Sequence, residues 1–221
     1  MNKIRDFITS LHNSAKRDYL DRMLNDKAGC VKIAKRYDKE YWDGNRRTGY
    51  GGYNYIPGHW KPMAEKIIKT YNLKAGSKVL DVGCGKAFLL HEMKLLEPNL
   101  NIEGFDFSKY ALEHNTDITK PFVYYHKAQD KFKYQNKEFD LVISLNVLHN
   151  LRFFDLKKSF SEIQRVGKQA YIVVESYRDE KELFNLQCWA TVCESFFDTD
   201  EWIYLFKEFG YTGDYEFIFF K

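Results

Sequence analysis

The sequence predicts an α/β fold, a doubly wound and mostly parallel sheet with an N-terminal helical extension in front of it. Three observations predict it. From Lys61 onward, helical and extended patterns alternate, and strands in such an alternation pair in parallel with helices on both faces. The apolar run 78–82 stops at a carboxylate, Asp81, and passes through Gly83-Cys84-Gly85 into a helical pattern, which reads as a tight strand-to-helix turn. A second strand then ends in another acid, Asp106, 25 positions after Asp81.

The elements follow in order. Over residues 1–40, Ile4, Phe7, Ile8 and Leu11, then Tyr19, Leu20, Met23 and Leu24, recur at three and four and predict two or three short helices. They read either as a packing cap over the core or as a lid on an acceptor site. Residues 41–60 form a loop rich in glycine and aromatics, with few aliphatic side chains to bury. It reads as an ordered surface loop or as a lid carrying Tyr50, Tyr53, His59 and Trp60, with Arg46 and Arg47 suited to a phosphate or carboxylate. Helices are expected at 63–71, 88–96, 108–113 and 155–166, and strands at 78–82, 102–106, 123–126, 141–145 and 170–175. A helical insertion at about 178–198 carries Leu183, Phe184, Leu186, Trp189 and Val192. Its apolar stripe fits a core face or the wall of an acceptor pocket. A capped helix from Thr199, a C-terminal Gly210 and closing strands complete a core of residues 61–221 behind an extension of 1–60.

Composition excludes several classes. The 221 residues, 26.3 kDa, suit one α/β domain. The 34 basic and 31 acidic side chains leave a net charge of +3, so no overall field draws the chain to nucleic acid or an anionic membrane. Cys30, Cys84, Cys188 and Cys193 form no C-x-x-C pair or Cys/His cluster, so reduced thiols and no metal site are expected. No window is apolar enough to span a bilayer, and residues 1–8 lack the core of a signal peptide. A cytoplasmic protein is expected, with monomer and homodimer equally open.

Ligands of open α/β sheets bind beyond the carboxyl ends of the strands. Gly83 and Gly85 let backbone N–H groups approach a ligand there, while Asp81 sits badly beside a pyrophosphate and well beside a cationic amine. Asp106 is placed to accept both hydroxyls of a ribose. The string D-x-G-x-G-x-A resembles motif I of class I S-adenosylmethionine (SAM) methyltransferases. The resemblance covers about 60–221 and implies a seven-stranded sheet whose last strand is antiparallel. It implies SAM as cofactor and S-adenosylhomocysteine as product. Asp81, Gly83, Cys84, Gly85, Asp106, Phe107 and Asn146 are then cofactor residues, and Gln129 and Asp130 read the adenine. Ala87 stands where the family has a third glycine, a mild replacement if its φ is negative.

The segment Asn146-Val147-Leu148-His149-Asn150-Leu151 looks like the post-strand-4 motif of small-molecule enzymes of the ubiquinone and menaquinone C-methyltransferase type. It lacks the two prolines of exocyclic-amine DNA and RNA methyltransferases. His149 has the pKa of a general base near neutrality, and Glu175 ends strand 5 in the same crevice. The alternatives are a packing histidine, and a Glu175 ion-paired with Arg178 or an arginine of the aromatic loop. Tyr177 and Trp189 are candidate acceptor contacts. The function expected is methyl transfer from SAM to a small molecule, with a sugar or nucleotide-linked sugar of bacterial surface polysaccharide as candidate acceptor. Two other readings stay open. One is an RNA methyltransferase stacking bases on Tyr50, Tyr53, Tyr55 and Trp60, and the other is a non-catalytic SAM-binding partner subunit.

Overall fold

The computed structural model describes residues 3–221. The chain enters through four short helices, α1 (Thr9–Asn13), α2 (Tyr19–Leu24), α3 (Lys27–Ala34) and α4 (Lys39–Trp42), one more than the largest number expected. The last three each start at an aspartate, Asp18, Asp26 or Asp38, whose side chain accepts a first-turn N–H. Then come α5 (Lys61–Thr70), β1 (Lys78–Val82), α6 (Phe88–Leu96), β2 (Asn101–Asp106), α7 (Lys109–Glu113), β3 (Val123–Tyr125), β4 (Phe139–Leu145) and α8 (Phe153–Val166). β5 (Gly167–Glu175), α9 (Glu180–Trp189), α10 (Thr199–Glu208) and β6 (Asp214–Ile218) complete the order.

The sheet runs β3-β2-β1-β4-β5-β6 with every pair parallel. Side chains alternate across it. Leu80, Val82, Val142, Ile172 and Val174 face one core with α8 and α10, through Phe160, Ile163, Trp202 and Phe206. Val79, Leu141, Ile143, Tyr171 and Val173 face the other with α5 and α6, through Ile67, Leu90 and Met93. Burial on both faces is what a parallel sheet requires.

The expectation of seven strands with an antiparallel last one is corrected. There are six among the described residues, and β6 runs parallel to β5 from Tyr171 beside Asp214 to Glu175 beside Ile218. The reason is where the N-terminal segment lies. On the far side of β6, the Arg5 N–H bonds Tyr215 O at 2.8 Å and the Tyr215 N–H bonds Lys3 O at 3.1 Å, so residues 3–5 hold the edge. Beyond β6, Phe220 is buried in the core under α1 instead of turning back into a hairpin.

One buried carboxylate fastens the extension to the sheet. Glu216 of β6 is 1 % exposed and accepts the N–H groups of Phe7 at 2.7 Å, Ile8 at 3.1 Å and Thr9 at 2.8 Å. It also takes the hydroxyls of Thr9 at 2.7 Å and Tyr171 at 2.6 Å. Donors at the start of a helix have no partner within it, so a carboxylate there satisfies them and complements the dipole. Glu216 thereby fixes the direction in which α1 leads the chain across the carboxyl end of the sheet.

Candidate active site

β1 and β4 are neighbours, but β1 leads on to β2 on one side and β4 to β5 on the other. A crevice opens where successive connections diverge in this way. Gly83 lines it and Gly85 follows in the same loop, with φ of +76° and +54°. A Cβ on Gly83 would lie 2.3 Å from a Val147 methyl, and one on Gly85 2.7 Å from the Trp42 ring, so both glycines are demanded by conformation and by close approach. Ala87 corrects an expectation. Its φ is +56°, in the left-handed region, so it carries strain that a third glycine would not.

Asp106 organises the loop. Its Oδ2 accepts the Gly85 N–H at 2.9 Å and its Oδ1 the Ser108 N–H at 2.7 Å, and the Phe107 N–H is also directed at this carboxylate. Burial pushes its pKa up to about 6 against these bonds. Asp81, 4 % exposed, is pushed up to about 7 by burial and by the charge of Asp106.

Two cavities meet above the strands. The first is lined by Gly83, Asp106, Phe107, His126, Gln129 and Asn146, under a roof of Tyr37, Tyr41, Trp42 and Tyr50. The roof is anchored to the core. The Trp42 Nε1–H donates to Ser108 Oγ at 2.8 Å, the Trp42 and Tyr50 rings stack at 5.3 Å, and Asp43 receives Lys86 Nζ at 2.7 Å and Tyr110 Oη at 2.8 Å. The glycine and aromatic loop is thus a packed cover over the first cavity.

The second cavity is lined by Arg17, Arg22, Arg46, His59, Trp60, His149, Glu175 and Trp189. Tyr41, Tyr50, Asn146, Asn150 and Val192 line both cavities and form the partition between them. In the second cavity, His149 Nδ1 accepts the backbone N–H of Glu175 at 3.1 Å, and Nε2 lies 3.4 Å from Glu175 Oε2. Burial pushes His149 down to about 3. The ring is therefore neutral with its proton assigned to Nε2, and the contact is not an ion pair. Burial raises Glu175 to about 7, opposed by Arg17 and Arg22. Arg178 pairs with Glu182, not with Glu175.

Other residues named from the sequence fall elsewhere. The Cys84 side chain packs against the backbone at Gly104, and Asp130 is exposed outside the cavity. Tyr53 stacks on Phe88 at 5.1 Å beneath the roof. Tyr177 packs against the core under α5 and α6, and Phe184 is half exposed. Trp42, Tyr37, His126 and Asn150 were not singled out. His126 follows β3 as Asp106 closes β2, so the rule of strand ends already pointed at it. Nothing periodic marks Trp42, whose place depends on how the extension folds back.

Four buried polar atoms here have no hydrogen-bond partner in the protein: Asp81 Oδ1, His126 Nε2, Asn146 Oδ1 and Asn150 Oδ1. Buried polar groups are ordinarily paired, so their clustering around one crevice marks a polar ligand site. Three acceptors without partners and a deep aromatic roof fit a nucleoside bearing a cationic amine. Among the described residues, no group of three or more His, Cys, Asp or Glu is placed to hold a metal, and no helix is long and apolar enough to cross a membrane.

Comparisons with known proteins agree with this geometry. Residues 73–210 match a family described as a methyltransferase domain. A ribosomal RNA small subunit methyltransferase C from Buchnera aphidicola is 29% identical over 114 residues, 48% of this chain and 31% of that protein. A malonyl-[acyl-carrier protein] O-methyltransferase from Hahella chejuensis is 25% identical over 142 residues, 62% of this chain and 50% of that protein. The chain thus spans a third to a half of the length of these relatives. Among solved structures, the YcgJ protein from Bacillus subtilis superimposes with a TM-score of 0.52 at 20% identity, covering 66% of each chain. The [4+2]-cyclase SpnF gives 0.56 at 15% identity, over 81% of this chain and 72% of that one. Such distant likeness establishes the fold and no particular chemistry. The family match spans more than half of the chain and includes the glycine loop, both acids and the post-β4 segment, and on that ground the protein belongs to the SAM-dependent methyltransferases.

Proposed function

We propose that the protein methylates a small molecule bound in the second cavity, with SAM in the first and Glu175 as the proton acceptor. The observation that carries this reading is the pair of cavities divided only by Tyr41, Tyr50, Asn146, Asn150 and Val192, with one perturbed carboxylate on the far side. Bound SAM supplies an electrophilic methyl on a cationic sulfur, which a lone pair of the acceptor displaces. The chain's part is alignment, exclusion of water and removal of a proton. Asp81 holds the amine, the Asp106 carboxylate meets the ribose hydroxyls, and Gln129 and His126 face the base.

Glu175 takes the acceptor's proton because its ionised and neutral forms are nearly balanced at neutral pH. His149 orients it. A neutral ring whose Nδ1 lone pair is already engaged is a positioning residue, not a base. The cavity of about 270 Å³ lies just below the usual range for small-molecule sites, which starts at about 300 Å³. Its lining does not select a sugar over other small acceptors. Against the RNA reading stand the packing of Tyr50 and Tyr53 into the roof and the bond of Tyr55 Oη to Glu92 at 2.7 Å, while Trp60 still lines the second cavity.

The test is calorimetry with S-adenosylhomocysteine on the wild type and Asp106→Ala, followed by methyl transfer from labelled SAM into a small-metabolite extract. Binding weakened at least about tenfold by the substitution, with label in the extract, is the expected result. Unchanged affinity removes Asp106 from the cofactor site, and binding without any label favours the non-catalytic subunit.

A further inference from the structure

Three guanidinium groups surround one ring in the second cavity. The Arg22, Arg46 and Arg17 Cζ atoms lie 3.9, 5.0 and 5.5 Å from the Trp189 ring centroid. They come from α2, the aromatic loop and the segment after α1, and they meet only in the folded chain. Among the described residues, none of the three has a carboxylate within ion-pair distance. Their bonds run to backbone carbonyls instead, apart from one from Arg17 to His12 Nδ1 at 3.1 Å. Arg22 donates to Trp189 O at 2.6 Å, Gly49 O at 2.9 Å and Arg46 O. Arg17 donates to His12 O at 3.1 Å and Ala15 O at 3.2 Å, and Arg46 donates to Tyr50 O. The Arg17 Nε is buried with no partner at all.

From these contacts we infer that the acceptor molecule carries an anionic group, a carboxylate or a phosphate, which binds among Arg17, Arg22 and Arg46 beside Trp189. The inference rests on the reading of this cavity as the acceptor site. A purely structural role accounts for Arg22, whose three carbonyl bonds tie α2, the loop and the end of α9 together. It does not account for placing two further cations against the same ring. Like charges gathered in a partly buried site repel, and burial without a counter-ion is unfavourable for Arg17 and Arg22, while Arg46 adds its charge from the exposed rim. Glu175 is the acid facing them, and it carries at most one charge against three. Lys27 adds to the surplus nearby, its Nζ bonded to Cys188 O at 2.7 Å and to Ala190 O.

An anion brought in by the acceptor offsets this surplus, and guanidinium forks match the paired oxygens of carboxylates and phosphates. The geometry also assigns a direction. With the anion at the arginines, which line the second cavity alone, the methyl-accepting atom lies toward Asn146 and Asn150, which line both cavities. The sequence pointed to Arg46 and Arg47 for such a role. The structure keeps Arg46, leaves Arg47 outside the cavity and adds Arg17 and Arg22.

Protein saturated with S-adenosylhomocysteine is titrated with inorganic phosphate and, separately, with succinate at constant ionic strength. Arg17→Gln and Arg46→Gln serve as variants, because Arg22 also holds the fold together. At least one anion is expected to bind the wild type and to bind each variant at least about tenfold more weakly, with S-adenosylhomocysteine affinity within about twofold throughout. The arm that responds identifies phosphate or carboxylate as the group. Equal binding of both anions by wild type and variants, or binding of neither, overturns the inference. Loss of S-adenosylhomocysteine binding in the wild type instead overturns the cofactor reading beneath it, and the two failures are read separately in one titration.

Discussion

His149 and Glu175 are joined twice, through the backbone N–H of Glu175 to His149 Nδ1 at 3.1 Å and through His149 Nε2 to Glu175 Oε2 at 3.4 Å. In the proposed mechanism the histidine positions the glutamate, and Glu175 meets the acceptor. Glu175→Gln should lower turnover by about 10²-fold or more with S-adenosylhomocysteine affinity unchanged. The wild-type rate should rise through a single ionisation near pH 7, the ionised carboxylate being the active form. His149→Ala should leave a pH-dependent rate whose midpoint is displaced, because Glu175 loses an orienting donor. A full rate measured for Glu175→Gln assigns the base elsewhere.

Asp81 should make cofactor binding depend on pH. Its folded-state pKa is about 7, raised from 3.8, so below neutrality it is protonated and offers no charge to a cationic amine. Affinity for S-adenosylhomocysteine should fall about tenfold per pH unit below 7 and flatten above it, with proton release detected by calorimetry in two buffers. A raised carboxylate pKa also means that this group destabilises the ligand-free protein as pH rises from about 4 to 7. Asp81→Asn should therefore remove the binding slope and raise the ligand-free melting temperature at about pH 8. A variant that binds as tightly as wild type at every pH contradicts the amine assignment.

The ion pair of Lys86 and Asp43 at 2.7 Å holds the aromatic roof on the glycine loop, and the lysine side chain is 3% exposed. Breaking a buried pair by removing one partner typically costs about 3–5 kcal/mol. Lys86→Met should lose stability of that order in urea unfolding and weaken S-adenosylhomocysteine, because Asp43 also orders the Tyr53 N–H at 3.0 Å. A stable variant with unchanged affinity shows that the roof closes without the pair.

Glu216 accepts three backbone N–H groups and two hydroxyls from its place in β6. Each buried donor left without a partner costs about 1–3 kcal/mol. Glu216→Ala should therefore destabilise the chain by at least about 3 kcal/mol, and Glu216→Gln by less, since its amide oxygen still accepts. The measurement is the denaturation midpoint, with proteolysis at residues 5–15 as the local readout. Resistance of that segment in Glu216→Ala locates its anchor elsewhere.

Much of the core was legible because its signals are local. The 3.6 and 2 residue periods predicted the order of strands and helices over 61–208 to within a few residues, and α6 ran from Phe88 to Leu96 as expected. Glycine at 83 and 85 is forced by backbone conformation, and Asp106 is placed by its strand, so the Gly83 and Asp106 part of the first cavity's wall followed from short-range chemistry. Only the tertiary structure decided what depends on distant contacts. The number and direction of strands at the sheet edge changed because residues 3–5 occupy the far side of β6. The proposal of Glu175 over His149 as base rests on burial and one backbone N–H that hold the ring neutral, which no spacing encodes. The roof and the arginine cluster likewise assemble from segments up to 167 positions apart, as in the Arg22 bond to Trp189. Local sequence constrains φ, ψ and periodicity, whereas pKa values and surplus charge are set by what the fold brings within a few ångströms.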